Sequence, residues 1–318
     1  MKKILALLLA CCMLLACMSV SLADKTYTIG ILQLMQHNAL DAATKGFRDA
    51  LTERLGDAVK FDEQNAQGDT AQCATIATGF VANQYDLIMA NATPALQACM
   101  NATDTIPVLG TSVTDYATAL SMDSVAGGTG FNVSGTSDGV SAQLYADCVM
   151  ELVPDAKKVG VFYCSAEPNS VVQADNFIAA ISAYGVETEV ATFSDSNDMQ
   201  IVLSGLVEGG LDALYIPTDN TAASNMTIVA NICEPAKLPV ICGEENMMSV
   251  GGLATVSITY YDIGYAAGEM AYEILVEGAD ITTMEIRYSE KAVKEYNPAF
   301  AEAIGFTVPE GYAAYEAQ

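Results

Sequence analysis

Short apolar runs alternate with amphipathic stretches along most of this chain, the pattern of strands and helices laid in turn into a parallel α/β sheet. Tyr27 to Leu34 reads as a buried strand, and Asn38 as the start of a helix whose Leu40, Ala43, Phe47, Leu51 and Leu55 recur at helical spacing. A strand follows around Val59 to Phe61, then a helix over Thr70 to Asn83. Leu87 to Ala90 is a third strand, Pro94 to Met100 a short helix, and Pro107 to Gly110 a fourth strand. Glycines 127, 128 and 130 interrupt the rhythm before the apolar Phe131 to Val133.

The rhythm then restarts. Lys158 to Tyr163, Glu187 to Thr192, Ala213 to Ile216, Val240 to Cys242 and Ala254 to Ile258 read as strands. Val171 to Tyr184, Met199 to Val207 and Ala222 to Cys233 read as the helices between them, and Ile263, Ala267, Met270 and Ile274 mark a last long helix. Two α/β halves without a Pro- or Ser-rich linker predict two packed lobes sharing a cleft. The expected division is residues 24–134 plus 284–318 for one lobe and 135–283 for the other. The tail is too short to be a lobe and is expected to cross back to the first.

The start of the chain changes the setting. Lys2 and Lys3 precede the uncharged Ile4 to Met18, and Ser21-Leu22-Ala23 precede Asp24, which is the layout of a secretory signal over residues 1–23. Cleavage after Ala23 is one reading. The other takes Leu14-Leu15-Ala16-Cys17 as a lipobox with Cys17 acylated. Either puts the folded part outside the cytoplasm, free or lipid-anchored. The chain is 52% hydrophobic and carries 39 Asp and Glu against 13 Lys and Arg, a net charge of −26. An acidic, self-repelling surface keeps it soluble and argues against nucleic acid, whose phosphates need clustered basic side chains. Nothing in it calls for an oligomer, so a monomer is expected. Cys73, Cys99, Cys148, Cys164, Cys233 and Cys242 remain beyond the leader. An exported chain could pair them, but all six sit in apolar or helical patterns, which favours reduced core thiols.

In open parallel sheets ligands gather at the carboxyl ends of strands. There the first half offers Gln33, Gln36 and His37, then Thr93-Pro94, then Thr111 to Asp115 with Ser112 and Thr114 between. The second half offers Glu167 to Ser170 with Asn169, then Thr218-Asp219-Asn220, then Glu244-Glu245. Hydroxyls and helix N–H groups suit a carboxylate, and acids suit an ammonium, so the set fits a zwitterion. Each cluster also has a local explanation. Thr93-Pro94 is a good helix start, Thr218, Asp219 and Asn220 can cap the next helix, and Glu244 can complement a helix dipole. His37, the single histidine, can be merely solvated.

Gly135-Thr136-Ser137-Asp138-Gly139 matches the G-x-S-x-G nucleophile elbow, but that hydrolase order needs a histidine after the serine, and His37 precedes it. No P-loop, C-x-x-C or H-E-x-x-H occurs, so no cofactor or metal is expected.

Several motifs in order carry a resemblance over Tyr27 to Pro309: Ile29 to Gln33, His37 with Ala39-Leu40-Asp41, Asn65 to Asp69, Ala92-Thr93-Pro94, Pro217 to Asn220, and Tyr260 to Gly264. The chain resembles substrate-binding proteins of ABC importers, of the tryptophan/tyrosine-binding type. Asn38 stands where that family usually has Pro. The resemblance implies a type I periplasmic-binding-protein fold with a three-strand hinge, hinge closure on the ligand, and docking on a membrane permease. It implies that Thr93, Ser112 and Thr114 receive a carboxylate, that Asp219 and next Glu244 receive the ammonium, and that Gln33, His37, Asn169, Gln173 and Asn220 line the cleft. With their neighbours Pro94, Asp115, Ser170 and Thr218 these make the candidate site. An aromatic amino acid is the expected ligand. A branched amino acid or nucleoside, and a receptor-sensing role, are the alternatives, and an enzyme is the least favoured.

Overall fold

The computed structural model describes residues 25–289 and 292–316, so the leader and Cys17 lie outside the described residues. The first half builds β1 (Tyr27–Gln33), α1 (Asn38–Leu55), β2 (Val59–Asn65), α2 (Thr70–Ala82), β3 (Leu87–Asn91), α3 (Thr93–Ala102), β4 (Val108–Val113), the short α4 (Tyr116–Ala119) and β5 (Val133–Ser137). The second builds α5 (Ala142–Leu152), β6 (Lys158–Cys164), α6 (Pro168–Ser182), β7 (Glu187–Phe193), α7 (Ser196–Glu208), β8 (Ala213–Ile216), α8 (Asn220–Ser224), α9 (Met226–Cys233), β9 (Val240–Cys242) and β10 (Ala254–Ser257). After these come α10 (Tyr260–Tyr272), β11 (Arg287–Tyr288), β12 (Val293–Tyr296), α11 (Pro298–Ile304) and β13 (Ala313–Ala314).

Two sheets result. One has the order β11-β5-β4-β3-β1-β2 and the other β13-β12-β10-β9-β8-β6-β7. The order 2-1-3-4-5 in the first recurs in the second as 7-6-8-9-10, so each sheet reverses direction once, between β1 and β3 and between β6 and β8. Such a reversal splays adjacent loops apart at the carboxyl ends and leaves a crevice. The strands earn their burial by continuous apolar runs: β3 and β4 are buried throughout, as parallel strands covered on both faces must be.

Two expectations fail here, the second in part. The helix expected over Ala222 to Cys233 breaks at Asn225, whose side chain donates to Thr221 O and whose backbone leaves the helical region. The tail crosses back to the first sheet only at β11, and from β12 onward it joins the second sheet instead. β12 runs antiparallel to β10, from Ala254 opposite Tyr296 to Ser257 opposite Val293, and Phe300, Ala301 and Ile304 enter the core of the second sheet. It is the stretch from α10 to β11 that returns: α10 packs Ala267, Met270 and Ala271 against Phe47 and Leu51 of α1, and β11 pairs with β5. A tail too small for a lobe can still cover a sheet edge, which otherwise leaves backbone groups unpaired. The chain therefore passes between the sheets after β5, after β10 and between β11 and β12. All six described cysteines are buried and unpaired, and burial pushes the Cys73 and Cys164 thiols up to about 11. Among the described residues no helix is long and apolar enough to cross a membrane.

Candidate functional site

Both crevices face each other. The loop after β1 carries His37, in extended backbone ahead of α1, and the loop after β8 carries Asp219 and Asn220. His37 Nε2 lies 3.1 Å from Asn220 Oδ1. Thr114 Oγ1, just after β4, lies 3.1 Å from Thr218 Oγ1, and Gln173 of α6 donates to both hydroxyls. Gln173 Oε1 in turn accepts from Thr218 N at 3.3 Å. These bonds tie one sheet's loops to the other's, so the two halves are shut on each other.

Between them lies a small cavity, with free space of about 10 Å³, lined by His37, Ser112, Asp138, Thr218, Asp219, Asn220, Ala223, Glu244 and Tyr260. Ser112 holds a left-handed φ of 55°, a strained conformation for a residue with a Cβ, which turns the chain at the end of β4. Gly243 brings Glu244 in: a Cβ there would sit 2.3 Å from the Pro217 carbonyl carbon, so only glycine lets the loop after β9 touch the loop after β8.

Four of the lining residues present a buried polar atom with no partner in the protein: His37 Nδ1, Ser112 Oγ, Asp138 Oδ1 and Glu244 Oε1. A buried group left so costs roughly 1–3 kcal/mol each, which a bound polar molecule can recover. Their second oxygens hold the acids in place. Glu244 Oε2 accepts from Asn246 N at 2.6 Å, and Asp138 Oδ2 accepts from the Tyr260 hydroxyl at 2.6 Å. Burial pushes the Glu244 carboxyl up to about 8 and raises that of Asp138. Desolvation disfavours the charged form, so both acids gain from a cation beside them.

The other candidates divide. Asp219 is fully buried, but both its oxygens are taken, one by Cys164 N at 2.7 Å and one by Ala222 N at 2.8 Å. Ser170 also bonds to it, and burial together with the neighbouring Glu167 raises its pKa. It clamps β6 to α8 and has no free oxygen for the ammonium that the sequence reading assigned to it. Gln33 turns away from the cavity to α1, donating to Asp41 Oδ1 and accepting from Thr44 Oγ1, each at 2.6 Å. Asp115 caps the short α4 through Thr118 N. Asn169 Nδ2 donates to Thr218 O at 3.0 Å, leaving its buried Oδ1 unpartnered. Thr93 is buried at the start of α3, and Pro94 lines a wider groove with Leu34, Met35, Cys164, Glu167 and Ser224.

Two contributors were missed at the sequence level, and a third, Glu167, was named in its loop but given no role. Asp138 was hidden inside the G-x-S-x-G match, where Ser137 ends a strand and spends its hydroxyl on Thr114 O and Gly139 N. Tyr260 reads as the first residue of a helix. Glu167 looks like a helix-start acid, yet it accepts from Asn220 N, Asn220 Nδ2, Thr221 N and Thr221 Oγ1. A tighter signal existed for Asp138 and Tyr260, since each follows a chain passage between lobes.

Residues 28–318 match the model of the family described as ABC transporter substrate binding protein. The chain belongs to that family. It is 42% identical over 262 residues, 81% of this chain and 75% of the other, to a tyrosine-binding protein of Clostridioides difficile strain R20291. A Streptococcus pneumonia ABC domain crystallised with L-Trp is 32% identical, covers 91% of this chain and 99% of its own, and superposes with a TM-score of 0.86. A ligand-free, open substrate binding protein with adhesive properties from Clostridium difficile is 37% identical over 92% of this chain and 100% of its own, with a TM-score of 0.70. The fold is that of type I periplasmic binding proteins, and the substrate-binding protein superposes better on the tryptophan complex than on the open chain of higher identity.

Proposed function

We propose that this substrate-binding protein captures an L-amino acid with an aromatic side chain between its lobes, outside the cytoplasm, and presents it to a membrane permease. The observation that carries the reading is the convergence of four unpartnered buried polar atoms on one interlobe cavity. Two are carboxylate oxygens that suit an ammonium, and one is a hydroxyl that can donate to a carboxylate. In this shut form the free space among them is only about 10 Å³, room for about one water, so the head of an amino acid enters as these loops part. The ring then lies toward Leu34, Met35 and Pro94 in the adjoining groove. The tyrosine-binding and L-Trp-bound relatives support an aromatic ligand, and the shut lobes match a holder that closes on its cargo. Ser137, with its hydroxyl bonded on both sides, offers no nucleophile, in keeping with a family that binds rather than turns over.

The chain has no tryptophan, so indole fluorescence reports a bound ligand alone. Protein unfolded to strip its ligand and refolded is titrated with L-tryptophan, exciting at the red edge of indole absorption where tyrosine is dark. Saturable, blue-shifted emission displaced by L-tyrosine supports the reading. A flat response to tryptophan, with no calorimetric heat from tyrosine or phenylalanine, overturns it.

A further inference from the structure

His37 is the chain's single histidine, and its neighbours dictate which ring nitrogen carries the proton. Asn220 Nδ2 donates to Glu167 Oε2 at 2.7 Å, which turns the amide oxygen Oδ1 toward His37 Nε2 at 3.1 Å. Flipping that amide would set its oxygen against a carboxylate. An amide oxygen only accepts, so Nε2 must hold the hydrogen, and in a neutral imidazole Nδ1 is then a bare acceptor. Glu167 cannot swing away to relax this. Its oxygens also accept from Asn220 N at 3.0 Å and from Thr221 N and Oγ1, each at 2.8 Å. Nδ1 is closed off from solvent and has no partner, and His37 is one of the residues that line the cavity.

The cavity thus presents three unpartnered acceptor atoms, His37 Nδ1, Asp138 Oδ1 and Glu244 Oε1, and a primary ammonium carries three N–H donors. Resting on the amino-acid reading above, we propose that His37 Nδ1 is the neutral third acceptor for the ligand's α-ammonium, with Glu167 acting through Asn220 as the positioning residue that fixes the tautomer. Two carboxylates and a neutral ring hold the cation on all three bonds, so a secondary amine loses one of them. The groups facing His37 are Asp41 from its own helix, Glu167 and Asp219 from the other lobe, and Asp138, Glu244 and Tyr260 around the cavity. Burial lowers the imidazole's pKa, which keeps Nδ1 available as an acceptor near neutral pH.

One histidine gives one set of imidazole signals, so the test is direct. Full-length folded protein labelled with nitrogen-15 in histidine is followed by long-range proton–nitrogen correlation, free and saturated with L-tyrosine, with calorimetry alongside. Expected are the Nε2–H tautomer in the complex, an upfield move of Nδ1 when the ligand binds, and N-methyl-L-tyrosine binding about tenfold or more weakly. Glu167→Gln, whose amide can donate to Asn220 Oδ1, mixes the tautomers and weakens binding. An Nδ1–H tautomer, or an Nδ1 resonance unmoved while calorimetry records binding, overturns the assignment and leaves the amino-acid reading standing. No heat from any aromatic amino acid overturns both. Should Glu167→Gln fail to fold, the wild-type tautomer and the N-methyl comparison decide.

Discussion

At the residue scale, the site is defined by atoms that lack partners, and two of them belong to acids held out of water. Glu244 has an ordinary pKa of 4.5 that burial lifts to about 8 in the folded protein. Between those values the folded form keeps a proton that the unfolded chain has released, so unliganded stability is greatest below the lower value. It falls as pH rises toward about 8, by about 1.4 kcal/mol per unit at most. Glu244→Gln removes that slope. Its thermal midpoint should overtake the wild type's progressively across the window, while its affinity for L-tyrosine drops about tenfold or more through loss of a charged partner. Melting curves taken at several pH values without ligand check this, and parallel curves for the two proteins would refute it. Asp219 was the sequence-level choice for the ammonium. Its polar neighbours could not be ordered from spacing alone, because which N–H groups its oxygens meet depends on β6 arriving from more than fifty residues away.

At the element scale, α10 crosses α1 so closely that glycines replace side chains at the contact. A Cβ on Gly264 would lie 2.0 Å from Ala43 O, and one on Gly46 would lie 2.1 Å from Tyr261 O. Gly264→Ala should therefore destabilise by about 1–3 kcal/mol or more by overpacking. Gly79→Ala makes a useful contrast, since nothing lies within 4 Å of the Cβ it would add inside α2. There the gain is about 0.5–1 kcal/mol from helix propensity. Urea midpoints that fall for the first and rise for the second are expected, and a neutral Gly264→Ala would mean that the helices separate at no cost. Strands and helices were largely legible from periodicity. The exceptions follow from chemistry that periodicity does not record: a side-chain bond at Asn225 splitting α8 from α9, and pairing of β12 with the open edge of β10.

At the scale of the whole molecule, closure among the described residues is built from few bonds: His37 to Asn220, Thr114 to Thr218, Gln173 to Thr114 and Ser224 to Met35. The Tyr260 hydroxyl also joins Asp138, linking two of the passages between lobes. Each contact is worth about 1 kcal/mol, so the shut form is only lightly favoured without cargo, and a ligand that satisfies the cavity shifts the population. Thr114→Ala should enlarge the radius of gyration of the ligand-free protein in X-ray scattering, and L-tyrosine should compact both proteins. A mutant that scatters identically to the wild type in both states would show that these bonds do not govern closure.

The amino-acid order by itself determined the α/β alternation, its recurrence in two halves, the acidic surface and the set of loops that carry polar side chains, because each is written in local periodicity and composition. Tertiary structure alone decided which loops meet, which lobe owns α10 and which sheet the tail completes. It also decided which polar atoms stay unsatisfied. Asp219 and Glu244 look alike as acids after strands, and only the approach of distant backbone N–H groups makes one a clamp and leaves the other with an open oxygen. The physical reason is that a hydrogen bond is counted between atoms brought together in space, whereas spacing along the chain fixes only which atoms are available to be brought.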